Sequence, residues 1–370
     1  MPVINRIAEF HGEIAEWRRD IHTHPELQYD VHRTAEKVAG LLRAFGVDEV
    51  VAGIGRTGVV GVIKGRGAGK TIGLRADMDA LPITERSGKP YASQNAGKMH
   101  ACGHDGHTAM LLGAAKYLTE TRNFSGTAVV IFQPAEEGGA GGRAMVEDGL
   151  MERFGIEEVY GLHNLPGLAS GSFGIREGGI MAATDEFQIT IEGRGGHAAL
   201  PHNTIDPVMI AAQLITALHT IVSRNVDPMR SAVLSVTMMQ AGDAFNIIPR
   251  SVKLTGTVRT LDNDVRAFVE EQLKAVSTGL AATFGATASV HYRHGYPVTI
   301  NTPRETEFAA SAAREVVGAE RVNARVDATM GGEDFAYMLQ ARPGAYIFLG
   351  NGDSTQLHTD TYDFNDDIIP

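Results

Sequence analysis

Between residues 185 and 294 the chain stops alternating apolar strands with helices, and after 294 it resumes. That single interruption constrains the fold more than any motif does. On either side of it, helical periodicity covers 4–20 and 31–46. Val59–Ile63 and Thr71–Arg75 read as strands, and His107–Thr121 as a helix rich in Ala and Leu. Gly126–Phe132 and Glu158–Leu162 read as buried strands, 304–317 and 333–340 as helices, and Ala345–Leu349 as a strand. Apolar strands alternating with helices imply an α/β layer with helices on both faces.

The interrupting segment has another order. It reads strand (Glu186–Glu192), helix (Pro207–Arg224), strand (Ala232–Met239), strand (Ser251–Thr260), helix (Asp264–Phe284), strand (Thr287–Arg293). The first helix opens on Asp206-Pro207, an N-cap followed by proline at the first helical position. The second stops at Gly285, a helix-ending glycine. The order βαββαβ is that of a ferredoxin-like split unit, α+β in class. The expectation is a discontinuous catalytic domain, 1–184 and 295–370, with a second domain, 185–294, inserted into it. A chain of 370 residues is long enough for two cores.

Charge narrows the partners. Lys and Arg number 33 against 44 Asp and Glu, a formal net charge of -11, which argues against nucleic acid or an anionic membrane surface. No apolar run approaches the roughly 20 residues that span a bilayer. The N-terminus, Met-Pro-Val-Ile-Asn-Arg, lacks a signal-peptide pattern. Cys102 is the only cysteine, so no internal disulfide forms. These features point to the cytoplasm.

Two nucleotide-binding patterns fail on context. Gly53-Ile-Gly55-Arg-Thr-Gly58 matches the dinucleotide fingerprint, but the residues that follow read as a strand, where the fingerprint needs a helix whose N-terminus meets pyrophosphate. It is read as a hairpin turn. Gly69-Lys70-Thr71 resembles the end of a phosphate loop, but Lys64 stands where that loop's first glycine belongs.

Chemistry concentrates elsewhere. His100, His104 and His107 flank Cys102, and thiolate with imidazole suits zinc, manganese or cobalt-like ions. Asp77 and Asp79 follow one strand, Glu136 and Glu137 another, and His163 ends a third; His358 lies near the C-terminus. In a sheet of this class the carboxyl ends of the strands form the ligand crevice. Each residue alone has a plain explanation: a hydrogen-bonded histidine, a buried thiol, a solvated loop pair, a turn cap. Their joint arrival at strand ends is what those explanations do not predict. Adjacent glutamates suit a division of labour, one holding metal and one moving protons.

Six ordered segments carry a resemblance: Met99–His107, Phe132–Gly138, Gly193–His202, Phe245–Pro249, Gly331–Phe335 and Tyr362–Asn365. From about residue 10 onward the chain resembles the N-acyl-amino-acid amidohydrolases, which include hippurate hydrolases, aminoacylase-like enzymes and plant auxin-conjugate hydrolases, within the co-catalytic-zinc exopeptidases. The resemblance implies a mixed-sheet catalytic domain and an inserted lid and dimerisation domain. It also implies two divalent ions per subunit (zinc, manganese, cobalt or nickel). Their ligands would be Cys102, His104, Glu137, His163 and His358, with Cys102 bridging. Glu136 would be the general base and acid, and Asp79 would orient the site from behind the ligands. His197 would reach the reacting carbonyl, in one arrangement from a partner subunit. Asn246 and Arg259 would hold the substrate carboxylate. Asp77 stands where related exopeptidases carry a metal-binding histidine and is left out of the ligand set. Family chains continue into a terminal helix beyond the residues that end this chain at Pro370, and Thr359-Asp360 stands where Thr-Pro is common.

The implied activity is hydrolysis of N-acyl-L-amino acids or a short peptide-like amide by a homodimer or dimer-based oligomer. Three rivals stand beside it: a cysteine hydrolase using Cys102 with a histidine base, a binding protein with a relic site, and the oxidoreductase that Gly53–Gly58 would suggest.

Overall fold

A computed structural model describes residues 2–370, which separate into two compact units. The first comprises residues up to Ile180, Ile300–Asp327 and Asp334–Pro370. It opens with α1 (Pro2–Thr23), α2 (His32–Phe45), β1 (Glu49–Ile54), β2 (Gly58–Lys64), β3 (Gly67–Asp77), α3 (His104–Thr121), β4 (Ser125–Gln133) and β5 (Glu158–Pro166). One mixed sheet runs β1-β2-β4-β3-β5, then Gly344–Gly352, Phe173–Gly174 and Val322–Asn323. β1, β2 and β4 are antiparallel neighbours. β4, β3, β5 and Gly344–Gly352 run parallel, so their carboxyl ends share one edge.

Helices cover both faces. Ile14, Val38, Leu42 and Leu112 of α1–α3 pack with Val59, Ile63, Val130 and Phe132 in one buried cluster. On the other face Ile131, Ile156 and Val159 surround Gly73, and Phe335 and Tyr346 lie against Gly161. Each such side chain, fully buried, contributes roughly 1.5–3 kcal/mol.

The hairpin reading of Gly53–Gly58 holds. Ile54 pairs with Gly58, and Gly55 and Arg56 turn the chain at φ 58° and 82°. No helix follows, so the site of a dinucleotide is absent from that turn. Several elements differ from the sequence reading, among them the short helices Gly141–Glu147 and Leu150–Arg153, which it lacks. β1 was not anticipated, because its alternation is that of an exposed edge strand. α3 begins at His104 rather than His107, since Gly103 sets the helix start by its left-handed φ of 91°. The helix expected over 333–340 is shorter, Ala336–Ala341.

The second unit is Met181–Thr299 together with Ala328–Glu333. Strands Ala183–Glu192, Ala232–Ala241, Ser251–Thr260 and Thr287–His294 pair antiparallel, in the sheet order second, third, first, fourth. Helices Pro207–Thr220 and Asn263–Thr283 interleave with them in a βαββαβ order. Ile210, Leu214, Leu218, Val269 and Leu273 form its core with Phe187, Ile191, Leu254 and Val258. Asp206 and Asp262 cap the two helices, each carboxylate accepting two backbone N–H groups of the first turn. The stretch Pro207–Asn225 is long and apolar enough to cross a membrane by composition alone. Ile210, Ala211, Leu214, Leu218 and Ile221 spend its apolar side on the core of this unit.

Candidate metal centre

The sheet brings the chemistry to one edge. β3 ends at Asp77 directly beside Gln133, the last residue of β4, because the two pair in parallel register. The chain leaves β3 through Asp79 and β4 through Glu136 and Glu137; β5 carries His163 and Asn164 near its end. His358 follows the strand Gly344–Gly352, and its backbone N–H donates to Ala101 O at 2.7 Å. α3 starts on the same edge at His104.

Gly103 makes that start possible. A Cβ at this position would lie 2.2 Å from Asn164 Nδ2 and 2.7 Å from the Tyr362 hydroxyl, and the φ of 91° is one that side chains resist. The same Asn164 donates to Cys102 O at 2.6 Å and accepts from Tyr362 OH at 2.7 Å. The Cys102-Gly103-His104 corner is therefore clamped from outside.

Five overlapping triads result among the described residues: Cys102, His104 and His163; Cys102, Glu137 and His358; His104, Glu136 and Glu137; Asp77, His104 and His107; Glu136, Glu333 and Asp334. Within each, one donor atom per residue lies within 4.8 Å of the others. All five ligands expected from the resemblance, with Glu136, thus gather at one place, and Cys102 is common to two triads.

Hydrogen bonds fix which imidazole nitrogen faces the gap. His104 Nδ1 donates to Asp79 O at 2.8 Å, and His163 Nδ1 donates to Asn164 O at 2.6 Å. Their Nε2 lone pairs are left for the centre, as second-layer contacts of metal-binding histidines arrange them. His163 Nε2 stands 3.3 Å from Cys102 Sγ. His104 Nε2 and Glu137 Oε1 are buried without a hydrogen bond, and His358 Nε2 lies 3.3 Å from the latter. Buried polar atoms left unmatched are costly. Thiol, imidazole and carboxylate donors turned to a common point, one of them a buried imidazole nitrogen without a hydrogen bond, fit a pair of divalent ions.

The protonation pattern agrees. Burial pushes the Cys102 thiol up, and Glu137 adds to the rise. Burial alone would raise Glu137 too, but His358 and His104 outweigh it and hold it below its usual range. The Cys102 and Glu137 side chains push His358 up to about 10. Burial lowers His104, yet Asp77 and Cys102 overcome it and hold the imidazole above its usual range. The centre shares protons among mutually attracting groups, a state that a dication held by these residues would reverse, since it binds thiolate and neutral imidazole.

Sequence reasoning reached only part of the layer behind, placing Asp79 there but not Asp77, Arg75, Gln133 or Asp334. Asp77, excluded from the ligand set, accepts from Arg75 Nη1 and His107 Nδ1, each at 2.7 Å, and lies 3.6 Å from His104 Nε2. His107 Nε2 accepts the Asn164 N–H at 3.0 Å, so both its nitrogens are occupied. Asp334 accepts from Arg75 at 3.1 Å, from Gln133 Nε2 at 2.7 Å and from Gly142 N at 2.8 Å. The signal was available, since Arg75, Gln133 and Asp334 all sit inside recognisable segments. His100 is buried and held neutral, pushed down to about 3 by that burial.

His197, Asn246 and Arg259 belong to the second unit. His197 pairs with Ile247 in a two-stranded ribbon, and Ala198 N donates to Asn246 O at 3.1 Å, which brings His197 and Asn246 together. Both side chains are exposed. Arg259 lies on the four-stranded sheet between Val233 and Thr184 and donates to Val258 O at 2.9 Å.

Residues 73–370 match the family model of peptidase family M20/M25/M40. The chain belongs to that family. This M20 member is 43% identical over 369 residues to the hippurate hydrolase of Campylobacter jejuni, covering all of this chain and 96% of that one. It is 39% identical to the N-acetylcysteine deacetylase of Bacillus subtilis, over 97% of this chain and 94% of the relative. Among solved structures, it superposes on the Bacillus subtilis YXEP protein, a dinuclear metal-binding peptidase from the M20 family. That match has a TM-score of 0.87 and 35% identity, over 98% of this chain and 95% of that one. Membership makes the M20 chain an amide-bond hydrolase.

Proposed function

We propose that the protein hydrolyses N-acyl-L-amino acids with two divalent ions held by Cys102, His104, Glu137, His163 and His358. The observation that carries this reading is the convergence of the Cys102, His104, Glu137, His163 and His358 donor atoms beside the buried Glu136, with His104 Nε2 buried and without a hydrogen bond. Ions held there would supply Lewis acidity toward the amide carbonyl and toward water. The protein's own residues do the rest. Glu136 takes the proton of the attacking water and returns it to the departing amine nitrogen, so no covalent intermediate forms. Asp79 holds the backbone of Glu136 and Glu137 and, through its carbonyl, the orientation of His104. His197 donates toward the carbonyl oxygen as negative charge develops there. Asn246 and Arg259 receive the free carboxylate, a task a guanidinium performs in bidentate fashion.

The inserted unit serves as lid and dimerisation domain. Supporting this, its edge strand Ala232–Ala241 leaves Val233, Met238 and Met239 exposed, and Met209 of the neighbouring helix is exposed as well. Light scattering on the purified chain tests the dimer. The lone cysteine fits a cytoplasmic setting.

Release of amino acid from N-acetyl- and N-benzoyl-amino acids is the direct assay. Exhaustive chelation should abolish it, and zinc, manganese, cobalt or nickel should restore it to differing degrees. One contact favours a second reading, since His163 Nε2 lies 3.3 Å from Cys102 Sγ as a base would from a nucleophile. That reading requires a thiolate, which burial and Glu137 oppose, and it predicts activity that survives chelation.

A further inference from the structure

Arg18, on α1, is the largest wholly buried side chain among the described residues, and its hydrogen bonds reach none of the proposed ligands. Its Nε donates to Asp366 Oδ1 at 2.8 Å, and its Nη1 donates to Asp105 Oδ2 at 3.3 Å and to Asp363 Oδ1 at 3.5 Å. The guanidinium carbon lies 4.5 Å from the Tyr91 ring centroid, a cation over an aromatic face. His22, one turn further along α1, meets the same Asp105 oxygen through Nδ1 at 2.8 Å. All of these residues belong to the first unit.

The three carboxylates lie on both sides of the corner that carries Cys102 and His104. Asp105 follows His104 in the first turn of α3, a turn that no side chain caps. Asp363 and Asp366 bracket Phe364, whose ring packs against that turn, since a Cβ at Gly106 would lie 2.3 Å from it. Tyr362, just before them, donates to Asn164, which donates to Cys102 O. One guanidinium therefore grips the corner directly through Asp105 and again through the segment that backs it. Stability is a weak account of such a cluster. Desolvation offsets much of the attraction in a buried ion pair, so an apolar replacement of similar volume often matches it; what the pair supplies is geometry. Arginine suits that task, because its planar fork fixes several donor directions at once, where lysine offers a point charge.

We infer that Arg18 is a positioning residue of the metal centre: by tying Asp105 to Asp363 and Asp366, it fixes the direction in which α3 presents His104 beside Cys102. The inference rests on the two-ion reading above. Arg18 takes no part in the chemistry and acts only through the backbone next to the ligands.

The test uses Arg18→Met, which keeps an unbranched chain and removes the fork, and Arg18→Lys, which keeps the charge. Leu42→Ala, in the buried cluster under α2, is the stability control. Each is studied at a temperature where circular dichroism shows it fully folded. Cobalt(II) affinity, from competition with a chelating dye, should weaken about tenfold in Arg18→Met, the lower end of the roughly 10–100-fold that supports of metal ligands carry. At saturating cobalt, the charge-transfer band of the Cys102 thiolate should move. Arg18→Lys should fall between Arg18→Met and the parent in both readouts. With zinc bound, kcat for an N-benzoyl-amino acid should fall in Arg18→Met while KM stays. Leu42→Ala should lower the melting temperature and leave affinity and band at the parent's values. Should Arg18→Met fail to fold, Arg18→Lys and Asp366→Asn, at the part-buried end of the cluster, carry the same comparison. Parent-like affinity and band in the folded variants overturn the inference, whatever their melting temperatures. A Leu42→Ala protein that loses as much affinity also overturns it, because affinity then follows stability. A parent that gives no thiolate–cobalt band overturns the two-ion reading and this inference together, a result distinct from parent-like variants.

Discussion

The two oxygens of the Asp79 carboxylate accept the backbone N–H groups of Glu136 and Glu137, at 2.9 and 3.0 Å. One side chain thereby sets the spacing between the proposed base and a proposed ligand, although it touches neither carboxylate. Asp79→Ala removes both acceptors and leaves two N–H groups of a tight turn unsupported. Metal affinity or kcat should drop by about 10–100-fold, the usual cost of losing such a contact. Metal titration and steady-state kinetics on the same preparation check it. A variant with full affinity and full kcat would show that the turn holds itself.

Glu136→Gln keeps the shape and removes the proton acceptor. Turnover should fall by roughly 10²–10⁴-fold, with metal content by elemental analysis equal to the parent's. Equal loss of metal would reassign Glu136 to the ligand set.

Gly103→Ala forces a methyl to within 2.2 Å of Asn164 Nδ2 and holds alanine at φ 91°. A strained left-handed residue costs about 1–3 kcal/mol by itself, and the clash adds to this. Thermal unfolding should shift down accordingly, with metal content falling as the Cys102–His104 corner opens. An unchanged melting temperature would mean that the corner has slack.

Stability should decline in alkali through His22. Burial lowers this imidazole, but Asp105 at 2.8 Å and Glu85 at 3.2 Å outweigh it and push it up to about 9 from an ordinary value of 6.5. The folded state holds the proton more tightly than the unfolded chain does. The resulting stabilisation, on the order of a few kcal/mol, is complete below the unfolded value and is lost as pH rises from 6.5 through about 9. Denaturation midpoints across that window should fall for the parent, and less steeply for His22→Gln. Parallel slopes would remove His22 from the account.

Metal uptake should release protons. Cys102 is held as a thiol and His358 as an imidazolium in the metal-free protein, and both must deprotonate to bind. Calorimetric titration with zinc at neutral pH, in two buffers of different ionisation enthalpy, should show a buffer-dependent heat and an affinity that weakens in acid. Identical heats in the two buffers would exclude both groups as ligands.

Much of the centre was legible in the chain because parallel strands deliver their carboxyl ends to one edge. Asp79, Glu136, Glu137 and His163 each sit near the end of an apolar run, and such runs can be read locally. Asp77 could not be placed that way. Its partners His104 and His107 come from one helix and Arg75 from a strand, and spacing alone does not separate a ligand from a residue that holds one. His100, His104 and His107 pose the same difficulty, being one residue type within eight positions.

The sequence by itself determined the layered α/β class, the βαββαβ character of the intervening segment and the residue types at the centre. Periodicity and caps are short-range properties, and the six ordered segments lie in the chain as written. Tertiary structure alone decided which imidazole nitrogen is free. His104 and His107 follow the same cysteine. The Asn164 N–H donates to His107 Nε2, whereas His104 Nε2 has no hydrogen bond and only the carboxylates of Asp77 and Glu137 nearby, at 3.6 and 4.0 Å, and that difference comes from a strand 57 residues away along the chain.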